Sequence, residues 1–132
     1  MIEYERAPDI EARARDVVAR LEMSHVDLSR VWFMRSKGSG SRYTLARIHV
    51  LPRIMQKALG IPTQYVVEVI TEKFDRLSQE DQTRTIIHEL MHIPEAFGGG
   101  FRHHKPFVNR RTVEEMYKRY CAACKASGMI FK

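Results

Sequence analysis

Cysteine is scarce in this chain. Cys121 and Cys124 are the only two, so no disulfide framework can staple the fold, and a reducing, cytoplasmic setting is expected. Long apolar runs are missing as well. No stretch reaches the roughly 18 apolar residues that would read as a membrane span. The segment before Arg30 carries Glu3, Glu5, Asp9, Glu11 and Asp16 without an apolar block, which is not the pattern of a secretory signal. Repeats, low-complexity tracts and composition breaks are also lacking, so one domain over residues 1–132 is expected.

What is present is ordinary globular material. A chain of 132 residues with 44% apolar and 29% charged residues can bury a real core without staples. The formal charge of +6 makes the surface basic, which bears on partners rather than on fold. Nucleic acid is one candidate partner and an acidic protein another, but no nucleic-acid reader motif accompanies the charge.

Periodicity gives the elements. Pro8 opens an amphipathic helix through Glu22, with Ile10, Ala14, Val17, Val18 and Leu21 as its stripe. Arg6, Arg13, Arg15 and Arg20 read as a solvated face. Val31-Trp32-Phe33-Met34 is a short strand, and Lys37-Gly38-Ser39-Gly40-Ser41 a flexible connection. Ala46, Ile48 and Val50 alternate with Arg47 and His49, the period of a half-buried strand with a solvated histidine. Pro52 to Leu59 is a short helix closed by Gly60 and Pro62. Residues 64–71 are dense in β-branched side chains and form the clearest strand, in which Glu68 faces solvent or an arginine. A helix follows over residues 78–93, and a last one over about residues 106–125, with Val113, Met116, Tyr117, Tyr120, Cys121 and Cys124 inward. The expected class is α+β: a small, mainly antiparallel sheet of three to four strands packed against the helix at 78–93.

That helix carries the strongest chemical signal, His88-Glu89-Leu90-Met91-His92. Ser78 is a suitable N-cap, and Asp81 can complete a capping box. Ile86, Leu90 and Ile93 make a buried stripe, and Pro94 ends the helix. His88 and His92, one turn apart, project from the opposite side, where two imidazoles can share one Zn²⁺ at about 2.0–2.1 Å. Glu89 then stands beside the open coordination position and can take a proton from a water activated by the metal. A catalytic zinc usually needs a third protein ligand. Gly98-Gly99-Gly100 lets the chain double back, bringing His103 or His104 within reach, with Arg102 and the leftover histidine lining the site. Glu114 or Glu115 is the rival donor. Cys121 and Cys124 lie on an apolar stripe and read as buried thiols rather than ligands.

The run His88-Glu89-Leu90-Met91-His92-Ile93-Pro94, followed by Phe97-Gly98-Gly99-Gly100-Phe101-Arg102-His103-His104, resembles the metallopeptidase family found in phages and archaea. Leu51-Pro52-Arg53-Ile54, Tyr65-Val66-Val67-Glu68-Val69-Ile70 and Phe74-Asp75-Arg76-Leu77 extend the resemblance over about residues 30–125. More loosely, the chain is similar to SprT-like (Spartan-type) zinc proteases. The resemblance implies a zincin-like fold, a Zn²⁺ cofactor on His88 and His92, and Glu89 as catalytic acid/base. In the phage pattern a proline precedes the third histidine, which points to His104. The SprT-like pattern, with an aromatic four residues on, points instead to His103 and Phe107. A peptide or protein is the implied substrate, and for SprT-like relatives one attached to DNA. The competing readings are a non-catalytic, zinc-containing basic adaptor for nucleic acid or protein, and a metal-dependent hydrolase of some other bond. Glu89 discriminates against the first, because a closed structural site needs no carboxylate at an open position; the second stays an open alternative at the level of sequence.

Overall fold

A computed structural model describes residues 1–97, 100–102 and 107–128. Its elements are β1 (Glu3–Arg6), α1 (Pro8–Arg20), a single 3₁₀ turn at Leu28–Arg30, β2 (Val31–Lys37), β3 (Ala46–Val50), α2 (Arg53–Leu59), β4 (Tyr65–Ile70), α3 (Thr71–Phe74), α4 (Gln79–Met91) and α5 (Arg110–Ala126). The class is α+β. The sheet is four-stranded and mixed, in the order β1-β2-β4-β3, and is consistent with a small zincin-like domain. Two of its ladders, β1 with β2 and β3 with β4, are antiparallel. The central one, β2 with β4, is parallel, because the chain leaves the sheet's centre to build β3 and α2 before it returns.

Alternation in the strands decides which face is covered. Val31 and Phe33 of β2 and Tyr65, Val67 and Val69 of β4 are buried in one apolar cluster with Ile10, Ala14 and Val17 of α1 and Ile86, Ile87 and Leu90 of α4. Trp32, on the other face, stays part-exposed, with the Arg6 guanidinium stacked 4.6 Å from its ring centre. α1, α4 and α5 touch one another, so the helices form one layer over the sheet. β1 carries no apolar alternation and all four of its residues are exposed, so no hydrophobic period announced it.

Local chemistry sets the helix ends. The Ser78 hydroxyl accepts from the Asp81 backbone N–H and caps α4. The Asp81 carboxylate, expected to return that bond, instead accepts from Arg84 at 3.0 Å. α5 starts at Arg110 rather than near residue 106, because Asn109 and Thr112 form a reciprocal capping box. Gly60 ends α2 with φ of 68°, a left-handed conformation that suits glycine.

Packing corrects one sequence expectation and meets another in a buried setting. Arg13 is not on a solvated face. It donates to Gln82 Oε1 at 2.6 Å and Thr83 Oγ1 at 2.9 Å, clamping α1 to α4. Glu68 does meet an arginine, Arg47 at 3.3 Å, but it is buried rather than solvated. His49, still half exposed, brings its Nε2 to 2.8 Å from the same Glu68 oxygen, Oε1. Burial pushes the Glu68 carboxyl up, yet the neighbouring Ser36 hydroxyl, His49 and the Arg47 charge together hold it below its ordinary value. The Ser36 hydroxyl is sealed from solvent there and makes no hydrogen bond of ordinary geometry among the described residues.

Candidate metal centre

α4 supplies the reactive side chains because its two faces differ. Ile86, Ile87 and Leu90 are anchored in the core, which fixes the helix's rotation and turns His88 and His92 towards β3. The two imidazoles meet as predicted by their spacing, with Nε2 of His88 3.3 Å from Nε2 of His92. Glu89 is buried, with its Oε2 3.9 Å from His88 Nε2. Burial pushes its carboxyl up to about 7, which places a proton acceptor and donor in the neutral range.

The loop after α4 is clasped onto His92. Arg102 N–H donates to the His92 carbonyl at 2.8 Å, and His92 Nδ1 lies 2.8 Å from the Arg102 carbonyl oxygen. A carbonyl only accepts, so Nδ1 carries the proton and Nε2 presents its lone pair to the cleft. Tyr65, at the start of β4 and wholly buried, donates its hydroxyl to the Gly100 carbonyl at 2.9 Å. Its ring meets Phe97 and Phe101 edge-on at 5.0 and 6.0 Å. Phe97, just before the expected glycine turn, is left-handed with φ of 49°; Gly98 and Gly99 of that turn lie outside the described residues. Strain there is held by the Tyr65 contact and by Arg30, whose guanidinium lies 4.8 Å from the Phe97 ring centre.

These groups line a cleft of about 360 Å³ walled by Ala46, Arg47 and Ile48 of β3, by His88, Glu89 and His92, and by Phe101 and Arg102. β3 is an edge of the sheet, paired on one side with β4. Its other side borders the cleft.

His103 and His104 lie outside the described residues. The rival donors do not join the pair. Glu114 is held by Arg84 at 2.9 Å and Glu115 by Arg111 at 3.2 Å. Among the described residues no cluster of three or more His, Cys, Asp or Glu side chains forms a complete metal site. Cys124 is buried and Cys121 half-buried, both as free thiols. Among the described residues no helix is long and apolar enough to cross a membrane.

The family described as "putative phage metallopeptidase" matches residues 2–125. The chain belongs to this family. Membership implies a metal cofactor and a peptide or protein substrate, and it extends the resemblance read from the sequence to nearly the whole chain. The match does not reach the SprT-like proteases. No curated protein and no solved structure matches the chain.

The donor geometry fits a metal. Two nitrogens bound to one tetrahedral ion at about 2.0–2.1 Å stand about 3.3 Å apart, the separation of the two Nε2 atoms here. The sequence expected His88, His92 and Glu89 to lie together, and the structure places them so. Sequence reasoning missed Tyr65 and the Arg102 carbonyl, since a tyrosine in a strand and a backbone oxygen carry no motif.

Proposed function

We propose that this chain is a zinc-dependent peptidase, with His88, His92 and His104 as ligands and Glu89 as the acid/base. The observation that carries this reading is the pair of Nε2 atoms 3.3 Å apart beside a buried carboxyl, in a cleft under an edge strand. Two residues of chain span at most about 7 Å. A ligand supplied from just beyond Arg102, whose carbonyl meets the His92 ring, is therefore within range of the pair.

When bound, zinc supplies Lewis-acid polarisation of the scissile carbonyl and acidifies the attacking water. Glu89 takes the proton of that water and returns it to the leaving amine, a task suited to a carboxyl whose burial has raised it to about 7. The Arg102 carbonyl keeps His92 in the tautomer that offers Nε2. The free side of β3 receives an extended substrate by backbone hydrogen bonds, which tolerate many sequences. The net charge of +6 supports proteins attached to DNA as one substrate class, and the assay run with and without DNA reads it.

Glu89→Gln tests the chemistry, because it keeps the side chain's size and every proposed ligand. It is expected to retain zinc while cleaving an unfolded protein at least about a hundredfold more slowly. Full activity in the zinc-loaded variant would remove Glu89 from the mechanism.

A further inference from the structure

A second cavity, of about 640 Å³, adjoins the cleft. The two share Ala46, His88 and Glu89 and extend from them in opposite directions along α4, the first to His92 and the second to Thr85 and Arg84. We infer that this second chamber receives a bulky apolar side chain of the peptide substrate, on one side of the bond to be cut. The inference rests on the peptidase reading and adds the substrate class to it.

The walls carry the inference. Leu45, Ala46, Leu77 and Val113 face the chamber from three different segments, and the first three are only half-buried, so apolar surface is left open. Its charges are largely spoken for. Arg84 donates to Glu114 at 2.9 and 3.2 Å and to Asp81 at 3.0 Å, and its guanidinium lies 4.1 Å from the Tyr117 ring centre. A charged substrate group would have to displace one of these partners. Among the described residues that line it, Arg110 is the remaining cation. The occupant follows from the neighbouring edge strand. Side chains of a peptide added to β3 alternate between faces. Ala46, Ile48 and Val50 are the β3 residues that pack against the core side, and the first two line the cavities, so the substrate residues facing the same way enter them.

The test uses the zinc-loaded protein and peptides that differ at one position, carrying Gly, Ala, Leu, Phe, Asp or Lys there. Cut sites are read by mass spectrometry with wild type. Binding is read by fluorescence anisotropy with Glu89→Gln. Leu and Phe are expected to bind about tenfold or more tighter than Gly and Asp, and to be enriched next to the cut. Thr85→Phe, which fills the chamber from the surface of α4, is expected to erase that preference while the protein keeps its zinc and its circular dichroism. Leu45→Trp does the same from the opposite wall, should Thr85→Phe fail to fold. Cleavage without apolar preference, or an acidic preference lost in Arg110→Ala, overturns the inference and leaves the peptidase reading standing. Apolar-selective binding by a protein that cleaves no peptide overturns the peptidase reading and leaves the chamber. Neither binding nor cleavage overturns both.

Discussion

Tyr65 shows how much a single buried atom can govern at the residue scale. Its ring contacts would suit phenylalanine equally, but its hydroxyl ties Gly100, and so the strand of chain that clasps His92. Tyr65→Phe keeps the ring and frees that loop. Partners that orient a metal-binding histidine typically matter about 10–100-fold in affinity. The expected result is zinc binding weakened by about that factor, measured by competition with a chelator, with little change in the helical signal. The proposed ligands should separate by severity. His88→Ala and His92→Ala are expected to abolish zinc retention, His104→Ala to weaken it strongly and His103→Ala only modestly. Zinc lost in His103→Ala but kept in His104→Ala would reverse the choice between them. The pair in α4 was readable because helical spacing fixes the relation of two residues a turn apart. Their orienting partners were not, since they come from segments far along the chain.

Among the elements, α4 is held from both sides. Arg13 binds it to α1 through side chains of Gln82 and Thr83 and the Gln79 carbonyl at 3.2 Å. The Gln82 amide in turn donates to the Phe74 and Leu77 carbonyls at 3.1 and 3.3 Å, fixing the chain that enters the helix. Burial lowers the Arg13 guanidinium from its ordinary value, and a guanidinium in a protein keeps its charge. Arg13→Met keeps the apolar stem and removes the donors, leaving part-buried acceptors without them. A loss of about 1–3 kcal/mol is expected in urea denaturation, larger than for a surface arginine such as Arg15 paired with Glu11. A helix-facing arginine looks solvated in a sequence because a helical period reports one stripe only. The second contact of α1, with α4, is set by how the layers meet.

The whole molecule carries its own pH signature. The hydrogen bond from Arg35, with its charge, holds the Asp9 carboxyl below its ordinary value despite some burial, and Glu68 is held down likewise by its neighbours. For both acids the folded pKa is lower than the unfolded one. Their contribution is therefore complete above the unfolded values and fades as pH falls through the folded ones. Thermal stability of the protein is expected to fall as the pH drops below about 4. Arg35→Met should flatten that fall, since Asp9 loses the partner that holds its carboxyl down. An acid limb unchanged in the variant would show that these pairs do not set it.

Taken alone, the sequence determined the elements that repeat on a local period: α1, β3, α2, β4 and α4, the cap at Ser78, and the pairing of His88 with His92 beside Glu89. Each follows from residues within a turn or two, where chain geometry leaves little choice. Tertiary structure alone decided the parallel ladder between β2 and β4, the burial of Glu68 under Arg47 and His49, the cleft between α4 and the β3 edge, and the Tyr65 clasp. These depend on which distant segments lie side by side. No local period encodes that, because it is settled by burying one apolar face of the sheet under one layer of helices.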